Sequence, residues 1–285
     1  MAYRTSVIMI ALFVLGTMSC ALAEESKATQ SEVVQAQAIL TVSEGKRLIA
    51  KAVAQMPIVK KALQDGTIII GRGTTNTYVA EELTGRKIAH GSYVVGWTGP
   101  AKSGKTLDSS ERTGDIVIVK GTVQPDRSMD DALKDLKSGD VVIKGANAID
   151  VEHKLAGVLI GGGPSSSAGI TGKILPVIVA RKAHLIIPVG LEKQVTGNIV
   201  DIANKMREPV ESLNDIPSMF LVNGQIITEI EALELLTGVQ VFQAAAGGVG
   251  GAEGGSRVIL RGPRNQVQQA LTLVESIQGE PPFLE

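Results

Sequence analysis

The sequence predicts an α/β fold with a largely parallel sheet, helices on both of its faces, and a small α+β unit near the C-terminus. Three observations carry this prediction. Short aliphatic runs alternate with helical patterns, which is typical of parallel strands joined by helices. Aromatic residues make up only 3% of the 285 residues, whereas glycine occurs 32 times. This balance favours an aliphatic parallel sheet with glycine-rich loops over an aromatic sandwich or barrel.

Composition excludes several classes of function. The formal charge is -1, so the chain offers no basic field for nucleic acid, and we expect no nucleic-acid partner. A single cysteine, Cys20, excludes an intrachain disulfide framework and a cysteine zinc cluster. Hydrophobic residues at 44% suffice for a buried core.

Residues 1–23 have the three-part layout of a secretory signal peptide. Arg4 precedes an uncharged run at 7–18, and Ala21-Leu22-Ala23 ends at Glu24. A permanent span needs about 20 apolar residues, so the run is short. We expect cleavage after Ala23 and a mature protein in the periplasm or outside the cell, in contact with the membrane only through the leader.

Two alternatives remain for the leader. One is an uncleaved membrane anchor. The other is a lipid anchor through Cys20, which is disfavoured because Thr17, Met18 and Ser19 form a poor lipidation motif.

Residues 24–42 are polar and small, and they predict a loosely held, helical N-terminal arm. The α/β domain is predicted at 43–213. Its first helix starts at an N-cap Ser43 and runs to about Ala54, and Pro57 starts a second helix that Gly66 ends. The remaining predicted strands are 67–71, 115–121, 140–145, 158–163 and 184–190, and the remaining helices are 78–83, 129–137, 170–182 and 198–206.

The pattern changes at Asn214. Residues 214–285 predict a β-α-β-β-α order, which is a separate small unit with about half of a ferredoxin-like pattern. The glycine cluster at 247–255 within this segment is interpreted as a hairpin loop rather than an anion-binding nest.

A glycine loop follows the first buried strand. It consists of Gly71, Arg72, Gly73, Thr74, Thr75 and Asn76. The glycines permit a tight turn, and the free amides and hydroxyls that follow lie at a helix N-terminus, whose positive end suits a phosphate or carboxylate. We therefore expect Gly71, Gly73, Thr74, Thr75 and Asn76 to bind an anion. The alternative is that Thr75 or Asn76 merely caps the helix.

Two further loops follow predicted strands, and they contribute Asn147, Gly162 and Gly163 to the same expected pocket. Lys173, on the helix after the second loop, is predicted as a cation for the ligand. Lys144 is a similar candidate.

One motif match is set aside. Gly99, Gly104, Lys105 and Thr106 have the spacing of a nucleotide-binding P-loop. That loop requires a following helix to aim amides at the phosphates, whereas residues 107–115 contain one apolar side chain. We expect a lysine-bearing loop here and no cofactor.

The order of these motifs resembles ribose-5-phosphate isomerase type A and its superfamily, which includes glucosamine-6-phosphate deaminases, CoA transferases and sugar-responsive repressor domains. The resemblance spans about 66–188 and implies an α/β domain that binds sugar phosphate. It rests on the G-x-G-T-T run at Gly71–Thr75, the loop at Gly145–Asn147 and the glycines at 161–163.

The chain departs from the isomerases at their acid and base positions. Asn147 and Ala148 stand where they have Asp and Glu, Ile160 replaces their lysine, and Gly172 replaces a glutamate. Proton transfer between carbons needs a base within hydrogen-bond reach. Isomerisation is therefore disfavoured, and the chain looks more like the repressor sensor domains, which bind without turnover.

Little other chemistry is predicted. Asp150, Glu152 and His153 are too close in sequence to converge on a metal, so they are interpreted as a solvated turn and no metal site is expected. The favoured function is an exported protein that binds a small anionic metabolite, and a homo-oligomer is compatible with the sequence. The alternatives are a divergent isomerase or acyl/CoA-transfer enzyme, with Asp150, Glu152 or His153 as its base, and a structural or interaction protein without a ligand.

Overall fold

A computed structural model describes residues 32–99, 102, 112–161 and 168–284. These residues form a mixed α/β fold. The strands are β1 (Val33–Leu40), β2 (Thr67–Ile70), β3 (Ile116–Val119), β4 (Thr122–Val123), β5 (Val141–Ile143), β6 (Ala148–Asp150), β7 (Leu155–Ile160), β8 (His184–Pro188), β9 (Ser218–Val222), β10 (Gln225–Ile227), β11 (Gln240–Ala246) and β12 (Ser256–Pro263). The α-helices are α1 (Val42–Gln55), α2 (Pro57–Asp65), α3 (Thr74–Thr84), α4 (Met129–Lys134), α5 (Gly169–Arg181), α6 (Ile199–Lys205), α7 (Glu229–Thr237) and α8 (Arg264–Glu275).

The main sheet has six strands in the order β10-β8-β5-β2-β3-β4. The pairs β10/β8, β8/β5 and β5/β2 are parallel, whereas β2/β3 and β3/β4 are antiparallel. The prediction of a largely parallel sheet is thus not confirmed, because the parallel pairs are limited to four strands. Lys120 and Gly121 join β3 to β4 with φ of 46° and 76°, and such a two-residue turn forces an antiparallel hairpin.

Helices cover both faces of this sheet. Side chains alternate along β2, so Ile68 and Ile70 are buried in one core together with Leu48 of α1. Ile69 points the other way, into a second core that includes Leu133 of α4 and Ile174 of α5. Both faces of β2 are therefore apolar, as the unbroken run Ile68–Ile70 predicts.

The N-terminal arm contains a strand where a helix was predicted. β1 pairs antiparallel with β12 over its whole length, from Val33 opposite Pro263 to Leu40 opposite Ser256. Ala38 and Leu40 point into the core, whereas Gln37 and Ile39 are exposed, which is the alternation of a strand. The prediction was wrong because the pairing partner is distant in sequence and gives no local signal.

The strands of 214–285 join all three sheets. β9 pairs with β7 beside β6, β10 pairs with β8 in the main sheet, and β11 and β12 pair with β1. A ferredoxin-like unit is thus not confirmed. The glycine cluster joins β11 to β12 as a hairpin, with the amide of Gly247 donating to the carbonyl of Gly255 over 2.8 Å.

Helix ends follow local rules, with one correction. Pro57 begins α2 and Gly66 ends it, as predicted. Thr41, rather than Ser43, is the N-cap of α1, because the capping box that Thr41 forms with Glu44 starts the helix two residues earlier. Within the described part of the chain, no helix has both the length and the apolar character needed to cross a membrane.

Candidate functional site

A cleft of about 530 Å³ opens at the edge of the main sheet where β2, β5 and β8 end. These strands are parallel, so the loops that follow them meet at this edge, as in other open α/β sheets that bind ligands. The cleft is lined by Lys46, Arg72, Gly73, Thr74, Thr75, Asn76, Val95, Gly96, Trp97, Thr98, Lys144, Gly145, Ala146, Asn147, Val158, Leu159, Gly161, Glu192, Lys193 and Pro217.

The loop between β2 and α3 is held by hydrogen bonds at both ends. The amide of Gly71 donates to the carbonyl of Ile143 over 2.8 Å, and the amide of Gly73 donates to that of Tyr93 over 2.9 Å. The Asn76 Nδ2 donates to the carbonyl of Gly71 over 2.6 Å. The loop is thus fixed to β5 and to the buried Tyr93, and its position does not depend on a ligand.

The N-terminus of α3 has backbone amides that make no hydrogen bond within the helix. Its first intrahelical bond runs from the amide of Thr77 to the carbonyl of Gly73 over 2.9 Å, and Gly73 provides no side-chain cap. The amides of Thr74, Thr75 and Asn76 therefore have no partner within the helix. The alternative that Thr75 or Asn76 caps the helix is wrong, because the N-cap of α3 is Gly73.

Two buried polar atoms at this helix end are also unpartnered. Thr75 is 2% exposed and Asn76 is fully buried. Thr75 Oγ1 and Asn76 Oδ1 have no hydrogen-bond partner among the described residues. Buried polar atoms are nearly always bonded, since an unmet one costs about 1–3 kcal/mol. Both residues line the cleft, so the two unpartnered atoms lie next to the space that a bound molecule would occupy.

Four basic side chains and one acidic one, Glu192, line the cleft. The Lys144 and Lys193 ammonium groups donate to successive carbonyls, those of Gly145 and Ala146, each over 2.9 Å. Lys46 Nζ lies 3.9 Å from Glu192 Oε1. The fourth, Arg72, pairs with Asp115 at 3.2 Å.

Burial lowers the pKa values of the three lysines that line the cleft. It lowers the pKa of Lys144 to about 8, with the charge of Lys193 acting in the same direction. Burial also lowers the pKa of Lys193 and of Lys46, although Glu192 and Glu229 oppose it in both cases. A lysine ammonium that burial destabilises gains from a nearby anion. The cleft is therefore electrostatically suited to a negatively charged ligand.

A buried carboxyl group lies behind the basic side chains. Glu229 accepts a hydrogen bond from the amide of Leu191 over 2.9 Å. Its burial, reinforced by the charge of Glu192, raises its pKa to about 7. A Cβ at Gly190 would come within 3.1 Å of Glu229 Oε1 and would collide with Glu192. Glycine at position 190 thus leaves the space that both carboxyl groups occupy.

The rim of the cleft is apolar. Trp97 and Val95 are each 40% exposed, and Leu159 is 36% exposed. Trp97 is the single tryptophan of the sequence. The cleft therefore combines a polar, basic floor with an apolar mouth, as is usual for small-molecule sites.

The structure brings most of the predicted site residues together. Gly73, Thr74, Thr75, Asn76 and Asn147 line the cleft. Asn147 is fixed there by its Oδ1, which accepts from the amide of Leu159 over 3.1 Å.

One of the other predicted residues, Gly71, is not in the lining. Gly71 lies beneath it, bonded to Ile143. Gly162 and Gly163 lie outside the described residues, as do Gly104, Lys105 and Thr106 of the P-loop match.

Lys173 lies elsewhere than expected. It pairs with Asp130 at 2.8 Å and borders a groove between α4 and α5. The reason is that α5 packs Ile174 and Ile178 into the second core beside α4, which leaves the neighbouring Lys173 over α4. The cation expected from α5 is supplied instead by Lys144, Lys193, Arg72 and Lys46.

Hydrogen bonds to the Asp150 carboxylate hold the turn at 150–153. The carboxylate of Asp150 accepts from the amides of His153 and Ile199 over 3.0 and 3.1 Å, and Asp150 Oδ2 lies 2.9 Å from His153 Nδ1. Asp150 and Glu152 border a different cavity from the cleft. Among the described residues, no cluster of three His, Cys, Asp or Glu side chains could hold a metal ion.

Sequence reasoning missed Lys46, Lys193, Glu229 and Trp97. Lys193 had a usable signal, because it follows a predicted strand at the same sheet edge as the two loops that were chosen. Lys46 and Glu229 lie on helices, and the sequence pattern of these helices does not predict that either side chain lies near the cleft.

Comparison with known proteins adds no assignment: the chain matches no family model, no curated protein and no solved structure.

Proposed function

We propose that this is an exported protein that binds a small anionic metabolite, a sugar phosphate or a carboxylate, in the cleft at the ends of β2, β5 and β8. The observation that carries the proposal is the buried, unpartnered hydroxyl of Thr75 at the open N-terminus of α3. The free amides of residues 74–76 surround the same point. An anion there gains hydrogen bonds and the favourable end of the helix dipole.

Charge supports an anion rather than a neutral ligand. Four basic side chains face a single lining carboxylate, and Lys144 and Lys193 are held only by backbone carbonyls. The two ammonium groups repel each other, and a bound anion would offset this repulsion. A phosphate, with its greater charge, fits this arrangement better than a monocarboxylate.

The remaining groups favour a ligand that also carries hydroxyls. Asn76 Oδ1 is an acceptor and cannot bond an anionic oxygen, but it can accept from a sugar hydroxyl. Trp97 and Leu159 at the rim suit the apolar face of a sugar ring. A sugar phosphate satisfies all of these groups together.

The test is a fluorescence titration, because Trp97 is the single tryptophan and lies at the rim. We expect ribose 5-phosphate, glucose 6-phosphate or citrate to change its emission saturably. Thr75→Val keeps the side-chain shape and removes the hydroxyl, and it should weaken binding about tenfold, in keeping with the loss of a hydrogen bond to a charged group. Thr84→Val makes the same change at the opposite end of α3 and should leave the affinity unchanged.

Gly73→Ala provides a second, steric test. Gly73 has φ of 169°, which any residue adopts, and a Cβ there would meet nothing closer than Asn76 Cβ at 3.9 Å. The fold therefore tolerates alanine, while the added methyl group narrows the cleft. If Gly73→Ala and Thr75→Val both bind the ligand with unchanged affinity, the proposed site is wrong. If only Lys173→Ala loses affinity, the ligand binds in the groove between α4 and α5 instead.

The export part of the proposal rests on residues 1–23, which precede the described residues. N-terminal sequencing of protein recovered from the native host should give Glu24 as the first residue. Recovery of Met1, or of an acylated Cys20, would contradict cleavage after Ala23.

A further inference from the structure

Lys144 differs from the other two lysines of the cleft in its surroundings. Lys46 has Glu192 at 3.9 Å, and the charges of Glu192 and Glu229 act on Lys193. Among the described residues, Lys144 has no ion-pair partner, and its ammonium donates only to the carbonyl of Gly145. Its side chain packs over the glycine loop, since a Cβ at Gly71 would lie 3.3 Å from Lys144 Cδ.

The position of Lys144 relative to the anion-binding helix end is fixed. Asn76 Nδ2 donates to the carbonyl of Gly71 over 2.6 Å and reaches that of Ile143 at 3.4 Å. Ile143 is the residue before Lys144, so one side chain holds the start of α3 to the base of Lys144. Thr75 and Lys144 line the same cleft, so a ligand whose anionic group binds at Thr75 can extend towards the Lys144 amine.

We propose that Lys144 is a nucleophile that forms an imine with an aldehyde or ketone carbonyl of the bound anion, so that the ligand class is an oxo-phosphate or a 2-oxo acid. This inference rests on the proposed anion site. Lys144 is partly buried and lies near the cationic Lys193, and desolvated lysines beside another cation are the ones that proteins use for such chemistry.

The step needs no oxidant or reductant. The lone pair of the neutral Nζ attacks the carbonyl carbon and forms a C–N bond, while the carbonyl oxygen takes up a proton. The carbinolamine then loses this hydroxyl group with a second proton as water, and the C=N bond forms. One carbonyl and one amine thus give one imine and one water, and both protons that leave in the water come from the amine.

Protonation supports the same choice of residue. With burial and Lys193 lowering the pKa of Lys144 to about 8, roughly a quarter of it is the free amine at pH 7.5, against about 0.1% for an ordinary lysine. The other charges that face the cleft are internally paired, Arg72 with Asp115 and Lys46 with Glu192.

The experiment is reductive trapping with glycolaldehyde phosphate and cyanoborohydride, followed by peptide mass spectrometry. We expect Lys144 to be modified at least tenfold faster than Lys46, Lys193 or the exposed Lys61. Uncharged glycolaldehyde is the control for the anion: it should react more slowly at Lys144 than the phosphate probe does, and keep only the preference that the larger free-amine fraction of Lys144 gives. Thr75→Val should slow trapping of the phosphate probe and leave that of glycolaldehyde unchanged.

The pH profile gives a readout that packing alone would not move. The trapping rate at Lys144 should reach half of its maximum near pH 8, and Lys193→Met should shift that midpoint to higher pH because a neighbouring cation is lost. Lys144→Arg keeps a positive charge in the cleft but cannot form an imine, and it should abolish the adduct in the peptide mass spectra.

The failures of the two proposals are distinguishable. If glycolaldehyde phosphate binds but Lys144 is trapped no faster than Lys61, the imine proposal is wrong and the anion site stands. If neither glycolaldehyde phosphate nor ribose 5-phosphate binds, both proposals fail together.

Discussion

At the scale of single residues, Glu229 places a carboxyl group in the protein interior near the cleft. It is the first residue of α7 and is 3% exposed. Its position between Gly45 and Gly190 is possible only because neither has a side chain, since a Cβ on either would crowd the Glu229 carboxyl. The carboxyl group is held by the Leu191 amide but remains close to Glu192. Ionisation of Glu229 is therefore unfavourable in the folded protein.

We predict that Glu229 makes the folded state less stable as pH rises. Because burial raises its pKa from 4.5 to about 7, the folded protein retains a proton that the unfolded chain has already lost. The free energy of unfolding should fall between pH 4.5 and pH 7, by at most about 3 kcal/mol from this group.

Glu229→Gln tests this prediction, because the amide keeps the acceptor for Leu191 and cannot ionise. Urea unfolding at pH 5 and pH 8 should show the variant gaining on the wild type only at pH 8. Glu275→Gln, an exposed change on α8, is the control. A wild-type advantage that grows with pH would mean that Glu229 is ionised and stabilising.

At the scale of elements, the sequence predicted those whose signals are local. Pro57 and Gly66 bound α2 as predicted, because a helix start or breaker needs no distant partner. β1 was mistaken for a helix, since its partner β12 is remote in sequence. β6, three residues long, was missed because so short a run has no measurable periodicity.

The start of α1 offers a test of capping at this scale. Thr41 Oγ1 accepts from the amide of Glu44 over 3.3 Å, and Glu44 Oε2 accepts from the amide of Thr41 over 2.8 Å. Thr41→Ala should lower the free energy of unfolding by about 1 kcal/mol, whereas Thr41→Ser keeps the hydroxyl and should cost little. Chemical denaturation measures both. A larger loss in Ser43→Ala than in Thr41→Ala would restore the sequence-based assignment of the cap to Ser43.

At the scale of the whole molecule, the candidate site was predictable where it depends on the order of strands. Loops after parallel strands meet at one edge, and this rule correctly brought Thr75 and Asn147 together. Lys46 and Glu229 could not be found in this way, because the packing of α1 brings Lys46 to the cleft and the packing of α7 brings Glu229 behind it. Lys173 was misplaced for the same reason, since packing turns its helix towards α4.

Packing also joins the chain's distant parts through one buried cation, Arg47 of α1. It pairs with Glu81 of α3 at 2.6 Å, with Glu82 at 3.1 Å, and with Glu280, beyond α8, at 3.0 Å. Its guanidinium also lies 4.6 Å from the ring centre of Tyr78. Helices α1 and α3 and the C-terminal segment are therefore tied at a single point.

Arg47→Met should consequently destabilise the whole molecule, by about 3–5 kcal/mol, because it leaves the buried Glu81 carboxylate with only the exposed Lys87 ammonium, 4.0 Å away, to balance its charge. Glu280→Gln should cost less, since Glu81 and Glu82 still neutralise Arg47. Urea unfolding at pH 7 measures both, with Lys61→Met as the control, because the exposed Lys61–Asp65 pair should contribute less than about 1 kcal/mol. Adding Glu81→Gln to Arg47→Met should recover part of the loss, since it removes the uncompensated charge. If the double variant is no more stable than Arg47→Met, the loss comes from packing against Tyr78 rather than from charge.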